Sequence, residues 1–336
     1  MTTIAYVSNA DSGDISVLQA GPSDGALRPI QRFATGGKPM PMAVSPDRRH
    51  LYVSLRDEPA RVLSCSIDAA TGELSPLHEA PLPASACHIA LDRTGRWLFS
   101  ASYGGHRIGV NPIDPTGRAQ APVQSMASAP NAHCLRTDTS NRFAFAACLG
   151  GGVVMQMRFD AGSGHLSENA VTSLAVRAGA GPRHLEFHPD GTTVYLLNEL
   201  DATIDTLALD RDSGCLSLVQ TVAALPSGTA GEPWGADLHL TPDGRHLYSC
   251  ERRSSSLAIF AVDPDDGLLR LLGRVTTETQ PRGFSIDASG SSLVIAGQLS
   301  NRVTRYAIDP GSGMLESPHS CMVGNNPNWV ELVELP

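Results

Sequence analysis

No stretch of the 336-residue chain approaches 18 consecutive apolar residues, so the sequence predicts no membrane-spanning helix and no membrane partner. The opening, MTTIAYVSNADSG, has neither a basic segment nor a long apolar one. No secretory leader is therefore expected, and a cytoplasmic location is. Basic side chains are in the minority, 25 Lys and Arg against 34 Asp and Glu, for a formal net charge of −9. A general nucleic-acid binder carries a basic stripe, so that class is excluded. Aromatic residues make up 5%, which leaves little material for the exposed aromatic patches of a partner-binding face. A monomer or weak dimer is expected.

Other chemistries are absent by motif. Cysteines 65, 87, 134, 148, 215, 250 and 321 are odd in number, scattered and never spaced CxxC, which argues against both a disulfide framework and a zinc site. There is no GxSxG elbow. GAGP at 179–182 lacks the third glycine of a dinucleotide loop, and GGK at 36–38 runs into Pro39 instead of completing a Walker motif. His88, His184, His188, His239 and His246 show no metal spacing, and Asp237 with His239 on one strand face is a weak metal candidate. Neither a cofactor nor a metal is expected.

What the chain does have is turns: 32 Gly and 24 Pro, about one residue in six. They recur in a pattern. AVSPDRRHLYVSLR at 43–56 is followed by ALDRTGRWLFSASY at 90–103, RTDTSNRFAFAACL at 136–149 and EFHPDGTTVYLLNE at 186–199. HLTPDGRHLYSCER at 239–252 and SIDASGSSLVIAGQ at 285–298 complete the series. Each reads as two short strands around a tight turn. The residue marking the second strand falls on Tyr52, Phe99, Phe145, Tyr195, Tyr248 and Val294, at steps of about 46–53 residues. Tyr6, 46 residues before Tyr52, marks a seventh such strand that lacks a preceding partner, and NPNWVELVEL near the C-terminus supplies one. Segments such as RVLSCSIDAATGELSPL and LAIFAVDPDDGLLRLL add two more strands per unit. No window carries a helical stripe. The sequence therefore predicts an all-β protein, one seven-bladed β-propeller domain over residues 1–336, closed by pairing of residues 2–10 with 322–335.

Repetition makes register informative. Four residues after the marker stand Ala10, Arg56, Tyr103, Leu149, Glu199, Arg252 and Gln298. Seven residues before the turn Asp or its equivalent stand Met40, Cys87, His133, Arg183, Ala236 and Arg282. Strand interiors are ordinarily apolar, yet these two registers collect arginines, a glutamate and a histidine where inner strands would line a central channel. Arginines suit a carboxylate or phosphate, and a carboxylate with an imidazole can move protons. A cationic pocket in an acidic protein implies a small anionic ligand.

GAGPRHLEFHPDG with YLLNEL, then WGADLHLTPDGRHLYSCERR and ETQPRGFSIDASGSSLVIAGQ, closely resemble the propeller-type bacterial 6-phosphogluconolactonases. The likeness runs from AYVSNADSG to NNPNWVELV. The wider family includes the fungal carboxy-cis,cis-muconate lactonizing enzymes, whose proposed active-site His, Arg, Glu and Arg correspond by motif to His133 in NAHC, Arg183 in GPRH, Glu199 in NEL and Arg252 in CERR. The resemblance implies a lactonase acting on an anionic sugar lactone, with those four residues catalytic. Arg56, Tyr103, Arg282 and Gln298 are the expected substrate contacts. Arg183, Arg252 and Arg282 are expected to hold the anionic group and the developing oxyanion. Either Glu199 or His133 activates water, and the other protonates the leaving group. An unphosphorylated hexuronate-derived lactone, or a muconate-type cycloisomerisation, is the alternative.

Overall fold

A computed structural model describes residues 2–21 and 25–335 of the chain. Among these residues there are 28 strands and no helix, arranged as seven four-stranded antiparallel sheets. Six sheets take four strands consecutive in the chain. The seventh takes its innermost strand, Pro327–Leu335, from the C-terminus and its other three from the N-terminus. Thr2–Asn9 pairs on one side with Pro327–Leu335 and on the other with Asp14–Ala20. The closing pair is thus shorter than residues 322–335, because Met322 ends the outer strand Leu315–Met322 of the preceding sheet.

The turn chemistry explains the repeat. Asp92 accepts from the backbone N–H of Arg96 at 2.9 Å and of Trp97 at 3.0 Å, fixing the hairpin between the inner and second strands. Asp138 does the same for Arg142 and Phe143. In the Pro-Asp units a hydroxyl does part of this, with Thr241 Oγ1 accepting from His246 N–H at 3.1 Å.

The marker tyrosines bind one blade to the next. Tyr6, Tyr52, Tyr195 and Tyr248 each donate their hydroxyl to a glycine carbonyl in the outer turn of the following sheet: Gly72, Gly117, Gly267 and Gly313, at 2.7–3.0 Å. Burial satisfied by one hydrogen bond pushes these phenols well above their ordinary range. Gly117 has φ +81° and a Cβ there would meet the His50 ring at 2.2 Å, so the outer turn tolerates only glycine. Apolar clusters fill the spaces between neighbouring sheets, as where Tyr248, Leu257 and Ile259 meet Phe284, Leu293 and Ile295.

Around the ring each inner strand packs beside the next, which leaves a channel along the axis. These strands are Pro39–Val44, His88–Leu91, Ala132–Thr137, Pro182–Phe187, Gly235–Leu240, Pro281–Ile286 and Pro327–Leu335.

Candidate active site

The inner strands begin irregularly, and the irregularity builds the site. Pairing with the second strand jumps from Ala132 to Cys134, from Pro182 to His184, from Gly235 to Asp237 and from Pro281 to Gly283. Each jump is a β-bulge, in which one residue is left out of the ladder and its side chain is re-aimed. The residues left out are His133, Arg183, Ala236 and Arg282, members of one sequence register. The other register holds the residue just past the end of each second strand: Arg56 after His50–Leu55, Tyr103 after Trp97–Ser102, Glu199 after Thr193–Asn198 and Arg252 after His246–Glu251. Both sets therefore meet at the same end of the ring.

There they line a cavity of about 630 Å³, within the size range of small-molecule sites. Arg56, Tyr103, His133, Glu199, Arg252 and Arg282 all reach it. Arg183 does not line it. It is 1% exposed and sits behind the wall, its Nε donating to Glu199 Oε2 at 2.6 Å. Arg183 is thus placed to anchor Glu199 instead of contacting an anion in the cavity. Gln298 is not brought to this cavity either. It lies in a separate depression, where it donates to Asn326 Oδ1 at 2.8 Å and accepts from Gln280 at 3.2 Å. The side-chain amides of its own blade and of the closing segment satisfy it and hold it away.

Glu199 is held by three donors. Besides Arg183, Arg252 Nη2 approaches Oε2 at 3.0 Å, and Trp234 Nε1–H donates to Oε1 at 3.1 Å. Burial alone would push this carboxyl up, but Arg183, Arg252 and the hydrogen bonds outweigh it and hold Glu199 below the usual carboxylate range. Arg252 also lies over the Trp234 ring, 3.9 Å from its centroid. Burial, then the neighbouring Arg183, lowers the Arg252 guanidinium to about 9. At neutral pH it remains charged.

His133 differs. Neither ring nitrogen is hydrogen-bonded among the described residues, and Nδ1 is buried. Burial, with Arg183, His184 and Arg282 close by, holds its imidazole well below the ordinary histidine range. It is neutral at pH 7. Arg282 is the second unengaged group: its guanidinium has no hydrogen-bond or ion-pair partner among the described residues, although burial and then Arg183 lower it to about 10. Exposed Arg56, at the cavity mouth, is likewise without a side-chain partner there. A neutral imidazole facing free guanidiniums can deprotonate water beside a bound anion.

The matched family model, described as "Lactonase, 7-bladed beta-propeller", covers residues 2–332. This chain belongs to that family. The lactonase is 40% identical over 336 residues to a protein named 6-phosphogluconolactonase from Pectobacterium carotovorum subsp. carotovorum, covering all of both chains. It is 39% identical over 332 residues to one of the same name from Yersinia pestis, covering 99% of this chain and 98% of the other. Among solved structures it resembles the Pseudomonas aeruginosa periplasmic gluconolactonase PpgL, with a TM-score of 0.93 at 27% identity over the full length of both.

Trp234 escaped the sequence reading although it sits in WGADLHL. It precedes its inner strand by one residue and belongs to neither register, so only a Trp directly ahead of a bulged strand could have signalled it. Glu251, next to Arg252, takes no part in the cavity; its carboxylate accepts from the N–H groups of Trp234, Arg253 and Ser254 and shapes the turn. Asp237 and His239 bond to each other at 3.2 Å, and among the described residues no group of three or more His, Cys, Asp or Glu is arranged to hold a metal. No helix of the described residues is long and apolar enough to cross a membrane.

Proposed function

We propose that this lactonase hydrolyses a phosphorylated sugar δ-lactone, 6-phosphoglucono-δ-lactone, in the cavity ringed by Arg56, Arg252 and Arg282. The observation that carries this reading is the pair of guanidiniums, on Arg56 and Arg282, that meet no protein carboxylate while facing the cavity. Arg282 is desolvated by burial, and a guanidinium left unpaired there is costly unless a ligand completes it; exposed Arg56 adds charge at the mouth. The name shared by the 40%-identical relatives supports the same substrate. Seven unpaired thiols suit a reducing compartment, which supports a cytoplasmic location.

The proposed steps follow from protonation states at neutral pH. Glu199 is ionised and its two oxygens are occupied by three donors, so it is a poor base and a good anchor. His133 is neutral and unengaged. Water, deprotonated by the His133 imidazole, adds to the lactone carbonyl carbon, and the new oxyanion forms against Arg252 and Arg282. Such preorganised donors contribute roughly 3–4 kcal/mol each. The bond from that carbon to the ring oxygen then breaks, and the imidazolium returns its proton to the departing oxygen. The product is the open hydroxy acid. Tyr103 stands nearly perpendicular to the His133 ring, centroids 6.0 Å apart, and both line the cavity.

The test is acid release at neutral pH from matched phosphorylated and unphosphorylated δ-lactones, corrected for spontaneous opening. Charge-assisted hydrogen bonds contribute about 1.5–3 kcal/mol each, so kcat/KM for the phosphorylated lactone should exceed that for gluconolactone by about 10²-fold. Equal values would transfer the assignment to the neutral lactone, and no hydrolysis of either would refute the reading.

A further inference from the structure

Consecutive residues of a regular strand point to opposite faces. The bulge after Pro182 breaks that rule by leaving Arg183 out of the ladder, so that the Arg183 and His184 side chains lie against each other instead of on opposite faces. Arg183 Nη1 then lies 3.3 Å from His184 Nε2. A guanidinium has donors only, so this contact requires a lone pair on Nε2 and places the ring proton on Nδ1. On that side His184 Nδ1 stands 2.7 Å from Asp237 Oδ1, on the inner strand of the next blade.

Asp237 can only accept. Its Oδ1 also takes the Leu238 N–H at 3.1 Å, and its Oδ2 takes His239 Nε2 at 3.2 Å and the Phe284 N–H at 3.3 Å. Two of those four donors are backbone groups that cannot turn away. Burial resists ionisation here, but His239 and His184 overcome it and keep the carboxyl far below its usual range. Burial and Arg183 bring the His184 imidazole down to about 4, against the pull of Asp237, so it is uncharged at neutral pH. Its ring is wedged among those of His88, His133 and Trp329, at centroid distances of 5.4, 5.1 and 6.1 Å. His133 lines the site, while His88, His184 and Trp329 line a second cavity of about 470 Å³ together with Asp237, His239 and Glu331.

We propose that Asp237 and His184 are positioning residues of the site: Asp237 fixes the Nδ1–H tautomer of His184, whose Nε2 holds the Arg183 guanidinium in the orientation that presents its Nε to Glu199. The inference rests on the reading above, in which Glu199 and its arginines form the reacting site. Neither residue touches the cavity where the lactone binds. Their effect passes through Arg183, and resembles that of the outer partners that orient metal-ligating histidines, whose loss lowers activity about 10–100-fold.

The test uses the full-length protein, with 6-phosphoglucono-δ-lactone as substrate. His184→Leu, which removes the acceptor, should lower kcat about 10–100-fold and leave KM within about threefold. His184→Gln, whose amide oxygen can accept from Arg183 while its nitrogen donates to Asp237, should recover kcat to within about fivefold of wild type. Nitrogen-15 NMR of the histidines in the unmutated protein should find the His184 proton on Nδ1 and the Arg183 Nε–H protected from exchange. A folded His184→Leu protein with wild-type kcat would overturn the proposal. So would a proton on Nε2, or a His184→Gln variant as impaired as His184→Leu. If His184→Leu does not fold, the tautomer and the glutamine variant decide. If neither lactone is hydrolysed, the function fails, and the NMR measurement still judges the positioning chain by itself.

Discussion

Arg183 and Glu199 are joined by a 2.6 Å ion pair between the inner and second strands of one blade, with Arg183 1% exposed and Arg252 completing the pair from the next blade. The carboxylate therefore joins two blades at the channel mouth and sets the positions of two guanidiniums at once.

Glu199→Gln leaves the shape but removes one acceptor oxygen and sets an amide N–H against an arginine. Removing one partner of a buried pair costs roughly 3–5 kcal/mol, so the melting temperature should fall, with kcat lower by about 10–100-fold and the acid limb of the pH profile unmoved. A variant as stable as wild type with kcat down by more than about 10³ would assign the base role to Glu199 instead of His133.

The pH profile follows from His133. Its neutral form is the active one, and burial, Arg183, His184 and Arg282 depress its pKa below the ordinary 6.5. Activity should therefore be level through neutral pH and fall only as pH drops through that depressed value. Arg282→Gln removes one depressing charge and should move the acid limb upward by about 0.5 unit, a shift read from kcat/KM across pH. An unmoved limb would separate Arg282 from the base.

Closure by the N-terminus carries a measurable share of stability. Ile4, Tyr6 and Val7 are fully buried, and Thr2–Asn9 is paired along both edges. Burial of each such side chain contributes about 1.5–3 kcal/mol. Deleting residues 1–9 should thus lower unfolding free energy by about 4 kcal/mol or more, measured by denaturant titration. An unchanged midpoint would contradict the closure.

Glu331 faces the second cavity, where burial pushes its carboxyl up to about 7 against the Trp329 indole N–H and nearby His239. A carboxyl raised above its unfolded value costs stability once it must ionise. That cost is absent well below pH 4.5, grows between about 4.5 and 7 as the unfolded chain ionises first, and levels off above 7. Glu331→Gln should be more stable than wild type at pH 8 by up to about 3 kcal/mol, with a smaller advantage at pH 5. An equal difference at both values would contradict the raised pKa.

The fold was legible because each blade repeats the same hairpin, and the marker tyrosine has the same task in four of them: bonding the next blade's outer glycine. The site was legible to the extent that register predicts position. His133 and Arg282 share a register because both occupy bulges, and Glu199 and Arg252 share one because both follow a second strand. Register could not predict which members face the cavity. Gln298 occupies the same position as Arg252 but finds amide partners in Gln280 and Asn326, and Arg183 turns behind the wall because Glu199 and His184 claim it. The bulges themselves leave no trace in residue type, and without them Arg183 and His184 would be assigned to opposite faces. Trp234, outside the repeat, required the fold.

His133, the unengaged imidazole among arginines, carries the proposed chemistry. The decisive measurement is kcat of His133→Gln on 6-phosphoglucono-δ-lactone, with the melting temperature recorded alongside. The predicted result is a fall of about 10²–10⁴ in kcat, with KM and melting temperature close to wild type. A folded His133→Gln protein with near-normal kcat would contradict the account.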